Sequence, residues 1–245
     1  MVKIAAYVEG PTEWYTIYQL YEKKILQHAE LDGYSVHNDI ERWMKSPRNV
    51  LKKISSEDSY KPNNILLLYD QERDNSPVDA AKKIAGNITT LNKIDRYDNV
   101  FSGLLNDKIR IVLHIATISG PNGNKDFDGY IVQILKHLES IAVQKWFEYN
   151  KIPKYIKRHR EVQQVEYEKI HQLGFYEIPK LMEKHKWNIL LSKGNLYSYI
   201  TALQVNKSHV WFAENMIKYA PKEVLEEVFA PLITAWNLLA EEANQ

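Results

Sequence analysis

Apolar positions follow two rhythms along the first two thirds of the chain, one of short runs and one of helical spacing. Residues 2–8 are a mostly apolar run that reads as a strand. From Thr12 to about Ala29, Trp14, Ile17, Tyr18, Tyr21 and Ile25 recur at the spacing of an amphipathic helix. The polar segment 40–57 reads as a further helix, and Ser59 to Asn64 as a turn. Ile65 to Tyr69 is a continuous apolar run, the pattern of a strand covered on both faces. It empties into an acidic loop, Asp70 to Pro77, followed by a predicted helix around 78–94. After a weakly patterned stretch, Ile109 to Ala116 is another buried strand. Strands separated by helical patterns imply parallel pairing through right-handed crossovers. The fold class is therefore α/β, a Rossmann-like, mostly parallel sheet flanked by helices.

Past Thr117 the rhythm changes. Ser119 to Asn124 is loop chemistry, rich in Gly, Pro and Asn, and a helical pattern runs from Asp126 to about Tyr149. Residues 151–186 read as helical and strongly charged, and Leu196 to Leu203 as a short strand or helix. A helix spans about Ser208 to Tyr219, Pro221 ends it, and a final helix begins near Lys222. This divides the chain into an α/β core at 1–135, a charged helical insertion at 136–204, and C-terminal helices at 205–245 that pack back on the core.

Composition narrows the chemistry. A formal net charge of +1 excludes a uniformly basic nucleic-acid coat, so any polyanion contact has to be a local patch. The absence of cysteine excludes disulfides, thiolate zinc sites and cysteine nucleophiles, and fits a reducing cytoplasm. The chain enters a strand at once, with no charged leader, so a cytoplasmic location is expected. No apolar run approaches the roughly 20 residues that span a bilayer, so no membrane partner is expected.

Acids collect where the predicted strands end. Glu9 follows the first strand, and Glu13 stands four residues later across Gly10-Pro11-Thr12. Asp70, Glu72 and Asp74 follow the second, and alternation in an extended segment would turn all of them to one side. Asp126 and Asp128 lie beyond the third. A parallel sheet brings such ends together, at the edge where open α/β sheets place their chemistry. Crowded carboxylates raise one another's pKa unless a cation neutralises them, and Mg²⁺ or Mn²⁺ suits an all-oxygen donor set. Glu9 apart, since a strand end gains nothing from a lone acid, these elements each have an ordinary structural role to set against this. Thr12 can cap the first helix while Glu13 complements its dipole, Asp70 to Asp74 can be a solvated turn, and Asp126 can be an N-cap.

Val8-Glu9-Gly10-Pro11-Thr12-Glu13, followed by a helix and then by Leu66-Leu67-Leu68-Tyr69-Asp70-Gln71-Glu72, resembles the Toprim domain. More narrowly it is similar to the Toprim nucleases of the OLD family and to stand-alone Toprim proteins of bacterial anti-phage defence. The resemblance implies a Toprim-like sheet in which Glu9, Glu13 and Asp70 are site residues. Glu72 stands where the family has a second aspartate. Asp126 and Asp128 match a later acidic cluster, and Lys207 matches a lysine that opens a C-terminal helix. It covers about residues 2–131 and 205–229.

The implied activity is Mg²⁺- or Mn²⁺-dependent cleavage of phosphodiester bonds in DNA or RNA, tRNA included, with one or two ions. Glu9, Glu13, Asp70, Glu72, Asp126 and Asp128 would hold metal, Glu9 would also serve as general acid or base, and Lys207 would neutralise transition-state charge. On the sequence alone, Lys207 reads first as an ordinary exposed lysine near a helix start. A landing surface for nucleic acid is offered by Lys151, Lys154, Lys157, Arg158 and Arg160, with Tyr155 interleaved for stacking. Glu161, Glu166 and Glu168 just downstream give the alternative of a solvated helix face. The chain has no phosphate-binding loop of the Gly-x-x-x-x-Gly-Lys-Ser/Thr type, so an ATPase or sensor partner would be a separate chain. A second copy of the chain is a further candidate partner. The rival reading is a non-catalytic interaction module, with the sheet as scaffold.

Overall fold

The computed structural model describes residues 2–32, 47–56, 62–71, 74–86, 88–117, 125–137, 172–186 and 208–241, together with 169, 194, 196–198 and 200. Strands β1 (Val2–Val8), β2 (Ala29–Leu31), β3 (Asn64–Asp70), β4 (Thr90–Lys93), β5 (Val100–Leu105) and β6 (Ile109–Ala116) form one sheet in the order β2-β1-β3-β6-β5-β4. Pairing is parallel from β2 through β1 and β3 to β6. It is antiparallel where β6, β5 and β4 run as a meander to the far edge. The chain is an α/β protein with a Rossmann-like, mostly parallel sheet.

Side-chain alternation along the strands sorts the core into two layers. Ala5, Tyr7, Ile65, Leu67, Tyr69, Ile111, Leu113 and Ile115 face helices α2 (Pro47–Ser56) and α3 (Pro77–Ala85), burying Val50, Leu51, Ile54, Ala80, Ala81 and Ile84 between them. The opposite parity, Ile4, Ala6, Val8, Leu66, Leu68, Val112 and Ala116, faces a larger helical layer. That layer contains α1 (Pro11–Glu22) and α4 (Asp128–His137), and three C-terminal helices. A strand whose neighbours lie on both sides and whose two faces are both covered must be apolar at every position, which is why β3 reads as an uninterrupted run. A π-helical turn at Leu173–Glu177 leads directly into helix α5 (Ile178–Lys184), which has no buried residue.

The C-terminal helices are α6 (His209–Tyr219), α7 (Lys222–Val228) and α8 (Ala230–Glu241). Ser208 caps α6, its hydroxyl accepting from the Trp211 N–H at 3.2 Å. Trp236 of α8 is fully buried, and its indole N–H donates to the Gln27 carbonyl at 2.8 Å. The Arg110 guanidinium, at the start of β6, donates to the carbonyls of Leu238 and Leu239 and ties down the last turn of α8.

Several elements differ from the sequence reading. Among them, the final helix is divided at Phe229 into α7 and α8, and the weakly patterned stretch holds β5. The first helix stops at Glu22 rather than near Ala29, and β2 follows it. Lys24 and His28 adopt left-handed φ values of 55° and 66°, so Ile25 and Leu26, which extend the apolar periodicity, are buried in a turn instead. The predicted 78–94 helix likewise ends at Ala85, where Gly86 takes φ 54°. Further on, Thr90–Lys93 forms β4, an exposed edge strand whose polar sequence, Thr-Leu-Asn-Lys, carries no burial pattern to reveal it.

Candidate functional site

Strand β1 has β2 on one side and β3 on the other, so the order of the sheet reverses between β1 and β3. At such a switch point the connections leave in opposite directions and open a crevice beyond the carboxyl ends of the strands. Glu9 and Asp70 stand at those two ends. The register pairs Val8 with Leu68, and the Asp70 N–H donates to Glu9 Oε2 at 3.4 Å. Asp70 in turn accepts the Phe127 N–H on Oδ1 at 2.8 Å, which links β3 to the start of α4. The Gln71 N–H donates to the Ala116 carbonyl at 3.1 Å, closing β3 against β6.

A cavity of about 180 Å³ opens over these strand ends, lined by Glu9, Gly10, Pro11, Thr12, Glu13, Asp70, Phe127, Asp128, His209 and Val210. Three helices, α1, α4 and α6, therefore begin on one pocket. Gly10, not Thr12, is the N-cap of α1, and Pro11 occupies its first turn, where its missing N–H costs nothing. Thr12 is buried, and its carbonyl accepts the Thr16 hydroxyl at 2.8 Å. Glu13 is 6% exposed, so it is a buried carboxylate and not a solvated dipole partner. A Cβ at position 10 would stand 3.1 Å from Glu13 Oε2, so glycine there lets the carboxylate fold back over the helix start.

Burial, and then the charges of Glu13, Glu9 and Asp126, push the Asp70 carboxyl well above the usual carboxylate range, and the Phe127 N–H only partly offsets them. Burial and the same two glutamates also raise the Tyr69 phenol. Glu9, Glu13, Asp70 and Asp128 share the pocket, while Asp126, 4% exposed, acts on Asp70 through its charge without lining the cavity. Helix α4 begins at Asp128, two residues beyond Asp126.

Asp74 does not join them. Its N–H donates to the Gln71 carbonyl and its own carbonyl accepts from the Gln71 side chain at 2.7 Å, so the chain turns after β3 instead of continuing extended. The Asp74 carboxylate meets Lys83 at 3.4 Å. Glu72, Lys207 and the basic run Lys151, Lys154, Tyr155, Lys157, Arg158 and Arg160 lie outside the described residues.

Carboxylate oxygens of this kind suit a hard divalent cation, and the raised Asp70 pKa is the strain such an ion would relieve. Among the described residues, however, no three acidic or imidazole side chains already form an ion cage. The donor set fits the metal in chemistry, without a preformed cage.

Two groups escape a sequence reading, one on the pocket and one in the core behind it. His209 lines the pocket from the first turn of α6, its Nδ1 2.9 Å from the Tyr197 hydroxyl. The signal was present, since Ser208 is a strong N-cap that places the next residue at a helix start, but only the fold aims that start at Glu9 and Asp70. The other is His114, fully buried on β6, with Nε2 2.9 Å from the Tyr130 hydroxyl and 3.4 Å from Asn99 Nδ2. Its Nδ1 has no hydrogen-bond partner among the described residues.

Burial lowers the His114 pKa to about 3, from an ordinary 6.5. Between these values the unfolded chain takes up a proton that the folded chain refuses, so this stability is full above about pH 6.5 and lost as pH falls. At pH 5 the loss amounts to about 2 kcal/mol relative to neutral pH. Urea unfolding of wild type and His114→Leu at pH 7 and pH 5 checks it, because the variant should lack this part of the acid slope. An equal slope in both proteins would remove His114 from the account.

No family profile matches the chain, and no curated protein matches it. Among solved structures, the crystal structure of a hypothetical protein from Pyrococcus horikoshii OT3 is similar over 98% of each chain, with a TM-score of 0.50 and 10% identity. Likeness at that identity shows the fold alone: both chains share an α/β architecture. Among the described residues no helix is long and apolar enough to cross a membrane.

Proposed function

We propose that the chain is a Mg²⁺- or Mn²⁺-dependent phosphodiesterase of the Toprim type that cleaves DNA or RNA. The reading is carried by one observation, the meeting of Glu9 and Asp70 at the switch point of the sheet, with Glu13 and Asp128 on the same pocket. Glu9, Glu13, Asp70 and Asp128 are the residues that would hold the ion. When bound, the ion would activate water and neutralise charge on the phosphate. The chain's own contribution is to hold these carboxylates close together in a partly dry crevice, where a bound cation would favour their ionised form. The Phe127 N–H fixes the orientation of Asp70, and the Asp70 N–H fixes that of Glu9. A bacterial anti-phage role with a separate ATPase belongs to the resemblance and stands as part of this proposal, as do a basic landing surface at 151–160 and charge neutralisation by Lys207.

A non-catalytic interaction module is the second reading. It is favoured by the lack of a preformed ion cage among the described residues, and by the three helix starts, whose partial positive charge the carboxylates would balance.

The test is incubation of purified protein with labelled single- and double-stranded DNA and total tRNA in Mg²⁺, Mn²⁺ or EDTA, beside Glu9→Gln. Cleavage that needs metal and vanishes in the variant is the expected result. Equal cleavage by both preparations would mark a contaminant. No cleavage, with melting temperature indifferent to metal, would favour the module.

A further inference from the structure

One short turn forms part of the pocket wall, and its seat on the sheet decides where that wall stands. It runs from Asp126 to Tyr130. The Gly129 N–H donates to the Asp126 carbonyl at 3.1 Å, and the Tyr130 N–H to the Phe127 carbonyl at 3.0 Å. The turn carries chemistry at Phe127, whose N–H meets Asp70, and at Asp128, which lines the cavity. Apolar packing around it comes from the rings of Phe127, Tyr130 and Phe229, whose centroids lie 5.1, 5.3 and 6.0 Å apart. Ring contacts fill space, whereas a hydrogen bond also fixes direction.

Such a bond lies under the turn. Tyr130 is buried, and its hydroxyl stands 2.9 Å from Nε2 of His114, itself fully buried on β6. Asn99 assigns the direction of that bond. Its Nδ2 donates to the Ile115 carbonyl at 2.9 Å, which fixes this atom as the amide nitrogen. The same nitrogen is 3.4 Å from His114 Nε2, so Nε2 accepts. The Tyr130 O–H therefore donates to Nε2, and the ring proton sits on Nδ1. Nδ1 has no hydrogen-bond partner among the described residues. A buried donor without a partner opposes folding, so stability alone does not explain a histidine here. What His114 adds is an acceptor aimed at α4, from a position that pairs with Leu68, two residues before Asp70.

We propose that Tyr130 is a positioning residue of the metal site. Its hydroxyl, anchored on His114, seats the first turn of α4 so that the Phe127 N–H stays on Asp70 and Asp128 on the cavity wall. The turn is then clamped on two neighbouring strands, at Asp70 by the Phe127 N–H and at His114 by the phenol. Neither Tyr130 nor His114 lines the pocket, so both act through the turn without touching ion or substrate. The inference rests on the metal-site reading of Glu9, Glu13, Asp70 and Asp128, and adds what keeps Asp128 in place among them. Loss of an outer partner of a metal ligand lowers affinity by about 10–100-fold, and Tyr130→Phe, acting through a turn, should lower it about tenfold. His114→Leu should give a similar loss. The double variant should lose no more than either, because each substitution removes the same hydrogen bond.

The experiment titrates the full chain with Mn²⁺ by calorimetry and follows the ¹H–¹⁵N signal of the Phe127 amide in metal-free protein. Tyr130→Phe keeps the ring and loses only the hydroxyl, and melting curves report whether the fold is kept. Val50→Ala, on α2 across the sheet, is the control for general destabilisation. Mn²⁺ affinity should fall about tenfold in Tyr130→Phe and in His114→Leu, with a displaced Phe127 amide signal in both. Val50→Ala should keep wild-type values of each. Wild-type Mn²⁺ affinity in Tyr130→Phe would overturn the inference and leave the metal site standing. A loss in Val50→Ala as large as in Tyr130→Phe would overturn it too, by reducing the effect to stability. Additive losses in the double variant would do the same, because the two side chains would then act separately. Wild type that binds no Mn²⁺ would bring down the metal-site reading and this inference together.

Discussion

Asp70→Asn is expected to make the metal-free protein more stable while abolishing metal-dependent cleavage. Asn keeps an Oδ1 that can accept the Phe127 N–H, so the contact between β3 and α4 survives. What disappears is a carboxylate whose pKa is driven up by burial and by Glu13, Glu9 and Asp126. A carboxyl with a raised folded pKa opposes folding at neutral pH, where it must ionise among like charges. That opposition fades as pH falls through the folded pKa and the group takes up its proton. The advantage of Asn should therefore be largest near neutral pH, at about 1 kcal/mol or a rise of about 2–4 °C in melting temperature, and should shrink on acidification. Added Mn²⁺ should stabilise wild type and leave the variant unmoved. The cleavage rate should fall by more than the roughly 100-fold that follows loss of an outer-shell partner of a metal ligand. Thermal melts with and without Mn²⁺ at two pH values check the stability claim. A variant that melts lower than wild type at neutral pH without metal would show that the three helix starts need the charge of Asp70. That result would favour the scaffold reading.

Trp236→Ala is the second large effect and acts on the architecture that carries the site. The indole is fully buried in the layer that also contains α1, α4 and α6. It donates to the Gln27 carbonyl in the turn between α1 and β2, and lies 6.2 Å from the Tyr21 ring. Truncation removes this packing, opens a cavity and leaves the carbonyl without its indole partner. A loss of about 3–5 kcal/mol follows from the packing alone. Urea unfolding should show a lower midpoint, and metal affinity should fall with it, because the same layer seats the α1 and α6 starts. Trp236→Phe should recover much of the stability but not the hydrogen bond. A loss below about 1 kcal/mol for Trp236→Ala would mean that α8 does not hold this layer together.

The strands that carry the site were legible in the sequence because each is buried on both faces. Mostly apolar runs at 2–8 and 109–116 and the uninterrupted one at 65–69 mark β1, β6 and β3 within a residue or so, and the acids after the first and second strands so read mark their ends. The C-terminal helices were legible through Ser208 and Pro221, a cap and a breaker whose effects are local. The short edge strands β2 and β4 were not legible. An edge strand of three or four partly exposed residues gains its structure from a neighbour's backbone, and so leaves no periodicity of its own.

For the site, the sequence by itself determined which residues are acids and that Glu9 and Asp70 close strands. Only the tertiary structure decided that these strands are neighbours, because pairing of β1 with β3 is a contact between segments about 60 residues apart. The turn at Gln71 removed Asp74 from the cluster, since a backbone hydrogen bond there overrode the alternation that an extended segment would have kept. The packing of α6 beside α1 brought His209 to the pocket and buried Glu13. Residue chemistry is written one position at a time, whereas the meeting of distant residues depends on how two faces of one sheet are covered.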